Sequence, residues 1–160
     1  MRIGFSRNSI VDHKAVHTIW DNSGNIIFEG KASIGVGAKL VVHGTLKCGD
    51  NFAINGDTSI IVNKNIVFGN DCLLSWGSLI MDTDFHPVYD FSNNRMNEDK
   101  EIKIGNHCWI GCNVLIKKGT VLPDGAIVAA GSVVSKEIDE PNSIIVNNSM
   151  LKKDCYWRMD

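Results

Sequence analysis

The sequence predicts an all-β chain wound into a parallel β-helix, on three observations: a six-residue aliphatic period, compact residues at one fixed place within it, and a composition unsuited to helices over the same segments. From residue 104 onward an aliphatic side chain returns at Ile104, Ile110, Ile116, Leu122, Val128 and Val134. Four positions after the anchors stand Cys108, Val114, Thr120, Ala126 and Ser132, while Gly105 and Gly111 directly follow two of them. Such a period fits neither the 3.6 of a helix nor the 2.0 of a plain strand, so each unit reads as a short strand and a tight corner. Three units close a triangular coil of about 18 residues, coils stack about 4.8 Å apart, and the anchors fill the interior. Glycine and β-branched residues spread through these segments disfavour a helix.

The elements follow in order. Residues 1–33 carry HTIW and NIIFEG around a DNSGN turn signal and read as an N-terminal cap, a short hairpin or irregular first coil over the open end. The repeat domain spans 34–146. Its upper part holds the period loosely through Ile34, Leu40, Leu46 and Phe52, slips before Val62, and resumes through Phe68, Leu74 and Ile80, with Cys72 and Ser78 as small followers. Residues 87–101 (PVYDFSNNRMNEDKE) carry no anchor and read as a loop extruded from the coil, which regains register at Ile102. From Pro141 the repeat fades into a final strand and a short basic tail, with residues 147–160 read as the C-terminal tail.

Composition narrows the function classes. A chain of 160 residues, 44% hydrophobic, suits one domain with a real core. A net charge of −2 without long runs of either sign lacks the electrostatic footprint of a nucleic-acid binder. No apolar stretch approaches the roughly 18 residues of a membrane span, and the polar start MRIGFSRNSI does not read as a signal peptide. Five cysteines, an odd number, fit free thiols in a reducing, cytoplasmic setting better than a disulfide framework.

The segments DTDFHPVYD at 82–90 and IGNHCWIGCNVLIKKGTVLPDGAIVAAGSVVSK at 104–136 resemble the hexapeptide-repeat acyltransferases related to maltose, galactoside and capsular-sugar O-acetyltransferases. The elements that carry the resemblance are a histidine followed by proline at the mouth of the loop, a WIG hexapeptide downstream, and an AAGSVV segment beyond it. The resemblance implies a left-handed β-helix and a homotrimer with active sites between subunits. It also implies transfer of an acetyl group from acetyl-CoA to a hydroxyl, or an amine, of a sugar or polysaccharide intermediate.

The resemblance makes His86 the general base, since a neutral imidazole can take the acceptor proton during attack on the thioester. By itself a histidine beside a proline in a loop reads as structural or solvated. Asp84 shares a face with His86 in an extended segment and is the candidate to orient the ring; Asp82 competes for that part and is also a candidate acceptor contact, and DTD alone reads equally as a solvated corner. Trp109 corresponds to a tryptophan beside the donor channel, the alternative being a core or interface residue. The resemblance gives Ala129, Ala130, Gly131 and Ser132 the pantetheine arm, and Lys152 and Lys153 the cofactor phosphates. Asn55, Tyr89 and Arg95 are the candidate acceptor contacts.

Two rivals remain. A γ-type carbonic anhydrase needs three zinc-binding histidines, whereas His43, His86 and His107 are scattered and His13 and His17 lie in the cap; no metal is expected. A non-catalytic β-helix scaffold would have no use for the histidine motif and the WIG element.

Overall fold

The computed structural model describes residues 17–158 and the backbone of a short strand, Arg2–Ile3; the rest of the expected N-terminal cap lies outside the described residues. Every described element is a strand or a turn. The strands fall into three sheets, called faces A, B and C, of eight, six and five strands, which the chain visits in rotation. The result is a left-handed parallel β-helix, the predicted fold.

The anchors form the interior columns. Ile34, Ile54, Leu74, Ile110 and Val128 stack in register on face A. Leu40, Ile60, Ile80, Ile116 and Val134 stack on face B, and Cys48, Phe68, Ile104 and Leu122 on face C. All are buried, and Phe52 meets Phe68 across the interior with ring centroids 4.9 Å apart. Each such side chain contributes roughly 1.5–3 kcal/mol, so a polar residue in a column needs hydrogen-bonding partners.

Coil length changes along the stack. The lower coils pair residues 18 apart, Ile110 with Val128 and Ile116 with Val134. The upper coils pair residues 20 apart, Leu40 with Ile60 and Leu46 with Ile66. The two extra residues sit where face B meets face C, because Val42 and Val62 add a further inward side chain to strands Lys39–Val42 and Ser59–Val62. This widening is the physical cause of the slip in the six-residue period.

The hairpin reading of the cap is corrected, and the tail carries one strand more than expected. Strands Ile19–Asn22 and Asn25–Phe28 do not form a hairpin: they pair in parallel with strands of faces B and C, so the DNSGN turn is a corner of the first coil. At the other end the tail carries a second strand, Ser149–Lys152, which turns back antiparallel on Ile144–Val146.

The corner joining faces C and A is stitched vertically. Asp50, Asn70, Asn106 and Asp124 occupy equivalent places, and each side-chain oxygen accepts from a backbone N–H of the coil before it, at 2.6–2.9 Å. The residue following each, Asn51, Asp71, His107 and Gly125, has positive φ, which Asn, Asp and Gly tolerate best. Beyond this corner the tail folds back so that Trp157 stacks on His107 at 4.7 Å, with its indole N–H donating to the His107 carbonyl and its own carbonyl accepting from His107 Nε2.

Candidate active site at the B–C corner

The loop leaves the helix after strand Leu79–Met81 and re-enters at Ile102–Ile104, at the corner where the upper coils are already wider. Asp82 follows Met81 as Val62 follows Ile61 one coil earlier. It is wholly buried, and its carboxylate accepts from the backbone N–H groups of Asn63, Lys64 and Asn65 at 2.7–2.8 Å. Its placement as an acceptor contact or ring partner is therefore corrected: both oxygens close the corner of the preceding coil, and none of the carboxylate faces solvent.

His86 stands at the loop mouth, exposed. The His86 N–H donates to the Asp84 carbonyl at 2.7 Å across Phe85, whose φ of 60° places a bulky side chain in the left-handed region. This is a γ-turn with a strained central residue, and such strain collects where a neighbouring group must be presented. No described residue hydrogen-bonds the His86 ring. Asp84 does not orient it: its Oδ2 accepts from Lys118 Nζ at 2.5 Å and from Asn97 Nδ2 at 3.0 Å. Those two bonds, Lys118 first, hold the Asp84 carboxyl below the usual carboxylate range.

The loop is folded upon itself. Asp90 accepts from the N–H groups of Ser92 and Asn94 and from the Asn94 side chain, closing the tip, while Tyr89 and Arg95 form an antiparallel bridge. The Arg95 guanidinium is ion-paired with Glu98 at 3.3 Å and lies 3.9 Å from Asp99, which neutralises it within the loop. On the loop that carries His86, Phe85, Val88, Tyr89, Phe91 and Met96 are exposed.

The other candidates stand elsewhere on the chain. Trp109 projects outward from face A, where its indole N–H donates to Ser75 Oγ at 2.9 Å and its ring lies 6.1 Å from Trp157. Asn55 and the segment 129–132 belong to corners joining face A to face B, and Lys152 and Lys153 lie exposed on and after the last strand, with Lys152 in register with Ile144. At Gly131 φ is +74°, and a Cβ there would meet nothing within 4 Å, so backbone at this corner is open to close approach. Ser132 is corrected as a donor-arm contact: it is buried, its N–H donates to Ala129 and its carbonyl accepts from Leu115. One chain thus brings His86, Asp84, Tyr89 and Arg95 together at one corner and leaves Trp109 on face A and Asn55 and residues 129–131 at other corners. Among the described residues no group of three metal-ligating side chains is present.

Sequence inspection missed Lys118, Asn97, Ser75 and Trp157. Lys118 and Asn97 carried no motif; the only available hint was that the coil after the loop must place some side chain against its mouth.

Residues 101–136 match the family model described as bacterial transferase hexapeptide (six repeats). Hexapeptide repeats thus match over residues 101–136, within a left-handed β-helix. The chain is 46% identical over 66 residues to the polysialic acid O-acetyltransferase of Neisseria meningitidis, covering 41% of this chain and 31% of that protein. It is 31% identical over 97 residues to the galactoside O-acetyltransferase of Escherichia coli K12, covering 60% and 47%. It spans between about a third and a half of the length of these curated relatives. In fold, the chain superposes on the polySia specific acetyltransferase NeuO with a TM-score of 0.61 at 20% identity, over 90% of this chain and 83% of that one. It superposes on a galactoside acetyltransferase in complex with coenzyme A with a TM-score of 0.63 at 23% identity, over 81% and 64%.

Proposed function

We propose that this protein transfers an acetyl group from acetyl-CoA to a hydroxyl of a sugar or polysaccharide, with His86 as general base. The observation that carries this reading is the presentation of His86: an exposed histidine, its ring free of hydrogen bonds from the described residues, held by the turn at Phe85 on a loop of the β-helix. A neutral imidazole takes the hydroxyl proton as the oxygen attacks the thioester carbonyl. The tetrahedral intermediate then collapses, the carbon–sulfur bond breaks, and the imidazolium returns its proton to the departing thiolate. No covalent acyl-enzyme is needed.

Acetyl-CoA enters as a substrate. The small residues Ala129, Ala130 and Gly131 give the pantetheine arm an open corner, the exposed edge of Trp109 gives an apolar wall, and Lys152 and Lys153 offer charge for the phosphates. The exposed rings of Tyr89 and Phe91 suit stacking on a sugar. Galactosides and polysialic acid, the acceptors named for the relatives, head the acceptor screen.

The working unit in this proposal is a homotrimer. Face C is solvated, with ion pairs Lys47–Glu29 and Lys103–Glu101. Faces A and B instead turn apolar rows outward: Leu73, Trp109 and Ile127 on A, and Leu79, Leu115 and Val133 on B. Packing copies on these faces covers that surface and brings the base of one chain to the donor corner of another.

The test is His86→Ala, assayed by mass spectrometry of the acetylated acceptor. The expected loss in kcat is on the order of 10²–10⁴, with acetyl-CoA affinity and circular dichroism unchanged. A wild-type rate would remove His86 from the mechanism.

A further inference from the structure

We propose that Lys118 and Asn97 are positioning residues that latch the 82–101 loop shut and thereby fix where His86 stands, an inference that rests on the assignment of His86 as the base. Lys118 directly follows strand Leu115–Lys117, one coil below the loop mouth, on backbone held by the parallel sheet. Its side chain is only 15% exposed, and its ammonium donates to Asp84 Oδ2 at 2.5 Å and to the Asn97 carbonyl at 2.9 Å. Asp84 lies on the limb leaving the coil and Asn97 on the limb returning to it, so one cation ties both limbs to the same corner.

Asn97 continues the tie through its side chain. Its Nδ2 donates to Asp84 Oδ2 at 3.0 Å and to the His86 carbonyl at 2.9 Å, and its Oδ1 accepts from the Val88 N–H at 2.6 Å. Residues 84, 86 and 88 are thus held from one amide, on either side of the strained turn at Phe85. The backbone of His86 is fixed while its ring stays outside the network. This is how a rigid coil can place a base that sits on a loop, and a displacement of about 1 Å in such a group costs on the order of 10²-fold in rate. Neither residue touches the reacting atoms in this account, and both act through His86.

The test compares Lys118→Met, Asn97→Ala, Lys118→Arg and His86→Ala on two readouts. One is turnover of acetyl-CoA with the best acceptor of the screen; the other is chymotryptic cleavage at the exposed Phe85, Tyr89 and Phe91, which needs no acceptor. Lys118→Met and Asn97→Ala are expected to lower kcat about 10- to 100-fold at unchanged KM for acetyl-CoA and to speed cleavage several-fold. Lys118→Arg should recover most of both, since it keeps the charge. A Lys118→Met variant that turns over and resists cleavage like the wild type overturns the latch. So does one that loses turnover with the loop still protected, because Lys118 would then be a substrate contact. Wild-type turnover in His86→Ala removes the base instead, and the cleavage rates then judge the latch alone. If Lys118→Met does not fold, Asn97→Ala, which keeps the ion pair, decides on the same two readouts.

Discussion

Asp84 is ionised against Lys118, and that charge makes the closure of the loop a matter of pH. Its folded-state carboxyl lies below the usual range, with Lys118 and then Asn97 as the causes. A depressed folded value contributes stability that is complete above the ordinary carboxylate range and is lost as pH falls through the folded value. The Asp84 side-chain carbon followed by NMR should therefore titrate below an ordinary aspartate in the wild type and return toward it in Lys118→Met. An unshifted titration in the wild type would show the pair to be too solvated to matter. At this scale the sequence singled out the histidine as a candidate but not its surroundings. DTDFHP resembles a family motif and so drew attention to His86, whereas Asp84 finds partners 13 and 34 positions away, which no local pattern records.

The strand and corner are the next scale, and Asp82 is the clearest case of a residue whose element determines its role. Its buried carboxylate satisfies the three N–H groups of the preceding corner, so Asp82→Ala removes the acceptor of three corner donors at once. The expected cost is about 1.5–3 kcal/mol of stability, measured by denaturant unfolding, whereas Asp90→Ala at the exposed loop tip should cost much less. Equal losses in the two would show that the buried corner is not special. The lower coils were legible because each 18-residue turn has the same three six-residue units, and an uninterrupted period shows through any choice of aliphatic side chain. The upper coils were not, because Val42 and Val62 lengthen one side of each turn by two residues and carry the period out of phase. The corner ladder was legible only in hindsight, as the recurring GDN, GND and GNH at 49–51, 69–71 and 105–107. Those triplets read as generic turn residues until their side chains are seen to bond the neighbouring coil.

For the whole molecule, the contrast between a solvated face C and two apolar faces predicts assembly. Light scattering at micromolar concentration should give a trimer for the wild type, and Leu115→Glu, which sets a charge in the middle of face B, should give a monomer that keeps its β-helix circular dichroism. A monomeric wild type would sink the trimer, and a trimeric Leu115→Glu would move the interface off face B. The chain as a whole is a stack in which each coil touches chiefly the one before and the one after, and such stacks open from their ends. The docked tail alters this at one end. Trp157 reaches back past the corners of Asp124 and Asn142 to clasp His107, 50 residues earlier in sequence. Peeling the final coil away therefore requires releasing a ring stack and two hydrogen bonds anchored deeper in the stack. The C-terminal coils are consequently tied into a single opening unit, and their backbone amides share one rate of exchange with solvent where an untied end would show a gradient.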